Sequence, residues 1–140
     1  MRYDEQEERF IGPEMEAGII TGTNMDPMQA SRYYEFVKRS NMAPDDTERT
    51  SLFFILSGND DLYSKVNHIY NFDENSIRPE CFSTVDLCSS SKALVRLGFN
   101  LFNGYTDDYT DVLSLFCNLD SQNSKLAISA IMIRKGLMGV

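Results

Sequence analysis

Residues 89–104 have the sequence SSSKALVRLGFNLFNG, which indicates an all-helical fold. The serines at its start are favoured N-cap residues, and Gly104 is the residue type that most often follows a helix end. Between these limits apolar side chains fall on nearly every side of a helix, a pattern typical of a central helix contacted by several others. Gly98 costs about 1 kcal/mol relative to alanine inside a helix, so we expect it to let a neighbouring helix come close.

Further helices are predicted on both sides of this one, because polar starting residues precede apolar residues at helical spacing. The predicted starts are Asp26 with Pro27, Asp45 or Asp46, Asp60 or Asp61, the end of the polar stretch 105–111, and Ser121 or Ser124. The predicted apolar positions are Ala30, Tyr33, Phe36 and Val37; Leu52, Phe53, Ile55 and Leu56; Leu62, Val66, Ile69 and Tyr70; Val112, Leu113, Phe116 and Leu119; and Leu126, Ala130, Ile133 and Leu137. Asn41, Pro44 and Gly58 are the predicted helix ends.

Strand patterns are scarce, since no long alternating β-branched run occurs. Residues 71–88 are predicted to form an ordered connection with room for one helical turn. The expected architecture is therefore all-α: one compact domain of five or six helices over residues 26–140, preceded by an acidic N-terminal arm over residues 1–25. For that arm, a short hairpin and an unstructured segment both remain open.

Composition narrows the classes of function. The 140 residues carry a formal net charge of −8, and 42% of them are hydrophobic. No apolar run approaches the roughly 18 residues of a membrane span, and the first residues lack the pattern of a signal peptide. A cytoplasmic protein without membrane contact is therefore expected. Direct nucleic-acid binding is not expected, because only Lys125, Arg134 and Lys135 form a basic group.

Three cysteines and one histidine offer little catalytic machinery. Cys81, Cys88 and Cys117 are predicted to be buried free thiols. A zinc site with His68 is the alternative, but the spacing of the first two cysteines exceeds the usual zinc knuckle. A catalytic cysteine–histidine pair needs a third orienting group, and none is evident nearby. The sequence therefore predicts no catalytic residue, no metal and no cofactor.

Acidic clusters supply the candidate partner-binding residues. These are Asp45, Asp46, Glu48, Asp60, Asp61, Asp107, Asp108 and Asp111. Several stand at predicted helix starts, where capping alone explains a carboxylate. Capping does not explain why so few basic residues balance them. A metal-assisted enzyme using the three aspartates of residues 107–111 is a less favoured alternative, because the order of ligands in an EF-hand is missing.

Aromatic and apolar residues suggest other contacts. Tyr33-Tyr34 and Phe53-Phe54 are adjacent pairs, so the two members point in different directions on a helix. One member of each pair is expected in the core, and the other is available to a partner. The C-terminal helix carries apolar residues beyond its main stripe, which predicts a homodimer through that helix. These additional residues are Ile128, Ile131, Met132 and Met138.

Two motifs resemble a small uncharacterised helical family of Firmicutes prophages and mobile elements, over residues 33–119. The first is IYNFDENSIRPE (residues 69–80), similar to the family's Phe-Asp-x-x-x-x-Ile-Lys-Pro-Glu after a helix end. The second is SSKALVRLGFNLFNGY (residues 90–105), similar to Thr-Ser-x-x-x-x-Arg-Leu-Ala-Phe-Asn-Leu-Trp-Asn-Gly. Gly98 replaces the family's alanine, Phe102 replaces its tryptophan, and residues 86–89 replace a Trp-Gln-Thr-Gly segment. No activity is known to transfer.

The resemblance implies a mobile-element setting, in which small acidic proteins often block host nucleases. The favoured expectation is a non-enzymatic phage protein that binds and inhibits a host defence protein through its acidic surface. A CRISPR effector nuclease is one such target, and the protein would then be an anti-CRISPR. The alternative is a helical regulatory module that binds a host protein through exposed aromatic residues. The salt dependence of binding distinguishes the two hypotheses, because charge-driven association weakens as ionic strength rises.

Overall fold

A computed structural model describes residues 25–43 and 45–140. Within these ranges the chain forms seven α-helices, one 3-10 turn and one two-stranded sheet. In chain order they are α1 (Pro27–Ser40), α2 (Thr47–Ser57), α3 (Asp60–Ser64), the 3-10 turn (Val66–His68), β1 (Tyr70–Asn71), β2 (Ser76–Ile77), α4 (Cys81–Thr84), α5 (Ser89–Asn103), α6 (Val112–Phe116) and α7 (Ser121–Lys135). The predicted all-α class is confirmed for this part of the chain. The predicted acidic arm lies outside the described residues, apart from Met25.

Helix α2 is the centre of the domain. Its last seven residues, 51–57, are all buried, and it packs against α1, α5 and α7. The prediction that α5 would be the central helix is therefore wrong, although seven residues of α5 are buried. The expected close approach at Gly98 is confirmed, since a Cβ there would lie 2.8 Å from Cδ1 of Leu52 on α2. Just past the end of α2, Leu126 of α7 fills the space beside Gly58.

Side-chain oxygens cap five of the helices. Asp26, Asp46, Asn59, Asp111 and Asp120 each accept a hydrogen bond from the backbone N–H three residues later, at 2.8–3.0 Å. The predicted starts at Asp26 and Asp46 are confirmed. Three further helices start one or more residues earlier than predicted. For α3 and α7 the reason is that an Asn or Asp directly before the predicted start caps the helix.

Those three corrections concern α3, α5 and α7. Helix α3 is capped by Asn59 instead of Asp60 or Asp61. Helix α5 follows Cys88, so its three serines are already helical. Helix α7 is capped by Asp120, with Ser121 as its first helical residue.

The third predicted helix is broken into shorter pieces. Helix α3 ends at Ser64, and Tyr70 lies in β1, opposite Ile77 of β2. The apolar positions of the prediction are nevertheless buried. The chain turns back because the Asn71 side chain accepts hydrogen bonds from two backbone N–H groups of the following turn. Asn75 completes that turn with φ at 51°.

An aromatic cluster holds this turn to the helices. The ring of Tyr70 lies 5.3 Å from Phe53 and 5.0 Å from Phe72, between ring centres. Phe72 also contacts Phe36 of α1 at 5.5 Å. The Tyr70 hydroxyl donates to Asn75, and burial raises the pKa of Tyr70 to about 12. Residues 71–88 are therefore an ordered connection, as predicted, and α4 supplies the helical turn.

The apolar stripes predicted for α6 and α7 need correction. Leu115 is the buried residue of α6, whereas Val112 and Leu113 are exposed. On α7 the buried residues are Ala127, Ala130 and Ile133, while Leu137 is exposed because Gly136 ends the helix before it. No helix of the described ranges is long and apolar enough to cross a membrane.

Candidate partner-binding surface

The eight predicted acidic contact residues fall into three separate groups. Asp45, Asp46 and Glu48 stand at the start of α2, Asp60 and Asp61 at the start of α3, and Asp107, Asp108 and Asp111 between α5 and α6. Asp61 accepts a hydrogen bond from Ser91 at the start of α5. Glu48 lies 3.7 Å from Arg134, which also donates to the Leu101 carbonyl near the end of α5. A helix of this length spans about 22 Å, so the first two groups lie at opposite ends of the bundle.

Ion pairs offset part of this acidity. Asp60 pairs with Arg32 and Asp61 with Lys65, both at 2.7 Å. The pKa of Asp61 is lowered, mainly by the hydrogen bond from Lys65 and also by the one from Ser91. Burial acts in the opposite direction but is outweighed. The described residues hold 15 acidic and 11 basic side chains, a net charge of −4. Half of the chain's net charge of −8 therefore lies in residues 1–24, and the described part presents no continuous track of eight free carboxylates.

Asp107 organises the loop between α5 and α6. Its Oδ2 accepts hydrogen bonds from Arg96 Nε at 2.8 Å and from the Tyr105 hydroxyl at 3.0 Å. Its Oδ1 accepts from the Tyr109 backbone N–H at 2.9 Å and from the Thr110 hydroxyl at 2.8 Å. Partial burial opposes ionisation, but these four donors outweigh it and lower the pKa of Asp107 to about 2. Asp107 is therefore a residue that fixes its own loop rather than one that offers its charge to a partner.

The same loop presents three large apolar side chains to solvent. Asp111 caps α6, so the helix starts at Val112. Tyr109 is 61% exposed, Val112 74% and Leu113 79%. Asp108 beside them is exposed and has no ion-pair partner in the described ranges. We call residues 107–113 the loop surface; a cluster of exposed apolar side chains rimmed by charge is typical of a protein interaction site.

The aromatic pairs lie elsewhere and are mostly buried. Both Phe53 and Phe54 are in the core, so the expected exposed member of that pair is wrong. The reason is that α2 is contacted on all sides, which leaves no outward direction for either ring. Tyr33 is buried, and Tyr34 is partly buried against the core. Tyr109 is exposed instead, and no spacing or motif in the sequence predicts its exposure.

An open cleft lies where α1, α3, α5 and α7 begin. This open cleft of about 1140 Å³ is lined by Asp26, Asp60, Asp61 and Asp120 among others, with Arg32 as its basic residue. Two of the carboxylates cap helices and the other two pair with cations, so each already has an internal partner. The cleft is therefore acidic, but its four carboxylates already have hydrogen-bond or ion-pair partners within the chain.

The cysteines differ in their surroundings. Cys81 is buried, as predicted, and burial raises the pKa of its thiol to about 12. Cys88 and Cys117 are exposed, so their predicted burial is wrong. Cys88 stands just before α5, at the edge of the cleft. Hydrogen bonds with the Ser90 side chain first, then with the Ser91 side chain and with backbone N–H groups at the helix start, lower the pKa of the Cys88 thiol to about 7.

The part of the chain that the structure describes contains no group of three His, Cys, Asp or Glu side chains placed to hold a metal ion. The zinc alternative with His68 and the metal-assisted alternative at residues 107–111 therefore find no geometric support there. His68 is exposed at the end of the 3-10 turn.

A family model matches residues 21–136, and its description is "Family of unknown function (DUF6075)". The chain belongs to this family. The match includes both motifs on which the resemblance to an uncharacterised family was based, and it reaches further at both ends than the predicted range. The loop surface of this DUF6075 protein also lies within the matched residues. No curated protein and no solved structure matches the chain.

Proposed function

We propose that this DUF6075 protein is a non-enzymatic binding protein whose loop surface docks onto another protein. The observation that carries the proposal is the exposure of Tyr109, Val112 and Leu113 on one ordered loop. Burying a large apolar side chain contributes about 1.5–3 kcal/mol, so leaving three adjacent ones in water is costly unless a partner covers them. Because Asp107 already fixes the loop, little conformational entropy is lost on binding.

The rim of the loop surface indicates the chemistry of the partner. Asp108 is exposed and has no ion-pair partner among the residues that the structure describes, and Asp111 keeps an exposed carboxylate while capping α6. An apolar pocket with lysine or arginine residues around it is complementary to this arrangement. The rim charges then speed association, and the apolar centre slows dissociation.

The finer proposal is that the partner is a host defence protein, such as a CRISPR effector nuclease, in the cytoplasm of the host cell. This step rests on the sequence resemblance to prophage families and on the net charge of −8. A nuclease groove lined with basic residues suits the acidic rim. The remaining predicted contacts at the starts of α2 and α3 lie apart from the loop surface, so their expected role is long-range attraction rather than contact.

The alternative of a regulatory module that binds through aromatic contacts uses the same surface, because Tyr109 is exposed. The two hypotheses differ in salt dependence. Charge-led binding weakens strongly between low and high salt, whereas apolar binding changes little.

The test is capture of candidate partners, including purified Cas effectors, by the tagged protein at two salt concentrations. Leu113→Asp removes the apolar centre and is expected to abolish capture at both. Asp108→Lys is expected to weaken capture mainly at low salt. Met28→Asp is the matched control, because Met28 is a similarly exposed apolar residue on α1. Capture by Leu113→Asp at the wild-type level would contradict the proposal, as would equal losses with Met28→Asp.

A further inference from the structure

The outer face of α7 is apolar with basic ends. Ile128 is 48% exposed and Ile131 38%, and they lie about one helical turn apart beside the buried stripe of Ala127 and Ala130. Lys125 and Lys135 flank them on the same face and are exposed. Neither lysine has an ion-pair partner within residues 25–43 and 45–140. We call this the α7 face.

The α7 face and the loop surface are opposite in charge and alike in having an apolar centre. The loop surface has Tyr109, Val112 and Leu113 between the carboxylates of Asp108 and Asp111. The α7 face has two isoleucines between two lysines. Charge complementarity of this kind, around exposed apolar side chains, selects one docking arrangement over others.

We propose that a second copy of this chain covers both surfaces, with the loop surface of each copy packed on the α7 face of the other. The proposal places both surfaces on one side of the chain, so that a two-fold axis closes the arrangement and each contact is made twice. Direct pairing of the two α7 helices along this face is disfavoured, since it would gather four lysines with no acid between them. Met138 of the originally expected dimer face is packed against the core, so it takes no part.

This dimer regulates the site described above, a consequence that rests on the proposed function. The loop surface is covered in the dimer, so a partner must compete with the second copy. Binding to the partner is then expected to strengthen as the protein is diluted, or when the dimer is broken from the α7 side without altering the loop.

Analytical ultracentrifugation of charge-reversal variants tests the arrangement. One variant carries Lys125→Glu and Lys135→Glu, which makes the α7 face acidic like the loop. The other carries Asp108→Lys, which makes the loop less acidic and leaves the Asp111 cap intact. Lys38→Glu on α1 is the matched control, because Lys38 is exposed and distant from both surfaces in sequence. Circular dichroism verifies that each variant is folded.

The wild type and the control are expected to dimerise with concentration, and each reversal variant alone is expected to dimerise at least tenfold more weakly. An equimolar mixture of the two variants is expected to recover the dimer, because the acidic α7 face then meets the lysine-bearing loop. A monomeric wild type up to millimolar concentration overturns the proposal, as does a mixture that shows no recovery. The proposed function is judged separately, since Lys125→Glu with Lys135→Glu leaves the loop surface intact and Leu113→Asp does not.

Discussion

Replacing Asp107 by asparagine tests whether this carboxylate holds the loop in place. The substitution keeps the shape of the side chain but removes the charge that Arg96 and three other donors share. The pKa of Asp107 falls from 3.8 to about 2 in the folded protein. A pKa difference of this size between the folded and unfolded states corresponds to about 2 kcal/mol of stability at neutral pH. The side chain is only 26% exposed, so solvent screening does not remove most of this value.

The pH dependence follows from the direction of the shift. Asp107 binds a proton less readily when folded than when unfolded, so its contribution is complete above pH 4 or so and disappears as the pH falls towards about 2. The difference in stability between the wild type and Asp107→Asn is therefore largest at neutral pH and narrows across that interval.

Urea unfolding followed by circular dichroism, at successive pH values between about 5 and about 2, measures this difference. Asp108→Asn is the matched control, because the neighbouring carboxylate is exposed and unpaired in the described ranges. Its stability is expected to stay within about 0.5 kcal/mol of the wild type. Equal losses for the two variants, or a difference for Asp107→Asn that does not change with pH, would refute the reasoning.

Three further outcomes are expected. Leu113→Asp changes the free energy of unfolding by less than about 0.5 kcal/mol, because the side chain is exposed; a larger loss in urea unfolding would show that Leu113 packs internally. Gly98→Ala destabilises by about 1 kcal/mol, since overpacking against Leu52 exceeds the gain in helix propensity; a stabilised variant would contradict this. Cys88 reacts with iodoacetamide at a rate that is half-maximal near pH 7, whereas Cys81 stays unreactive until the protein unfolds. Mass spectrometry of the alkylated peptides measures both rates. Faster labelling of Cys81 than of Cys88 would refute this prediction.

Local signals made the long helices predictable. Asp26 with Pro27 at the start of α1, and Gly104 at the end of α5, act within one turn of the residues they affect. The third helix was predicted too long because buried apolar residues continue at helical spacing through Tyr70. The helix ends earlier, at Ser64, and beyond Tyr70 the Asn71 side chain turns the chain back. The aromatic cluster that holds this turn depends on a contact across the fold, between Phe72 and Phe36.

The position of the central helix and the location of the site were harder to predict. The sequence pattern of α5 is apolar nearly all round, but α2 occupies the centre because three helices pack on it. Acidic residues were identified as contacts from their type alone, which does not reveal that Asp107 is held by Arg96. Val112 and Leu113 were assigned to the core because apolar spacing identifies a face without saying whether another element covers it.

Because α2 is enclosed by other helices, hydrogen–deuterium exchange of its backbone amides can be used to detect binding of a partner. Residues 51–57 of α2 are buried under neighbouring helices, so we expect their amides to exchange with deuterium through unfolding of the whole domain. Any partner that binds the native state slows that exchange by the factor by which it favours the folded form. Hydrogen–deuterium exchange at α2 therefore detects a true partner wherever it binds, and it ranks candidates by affinity before any contact residue is known.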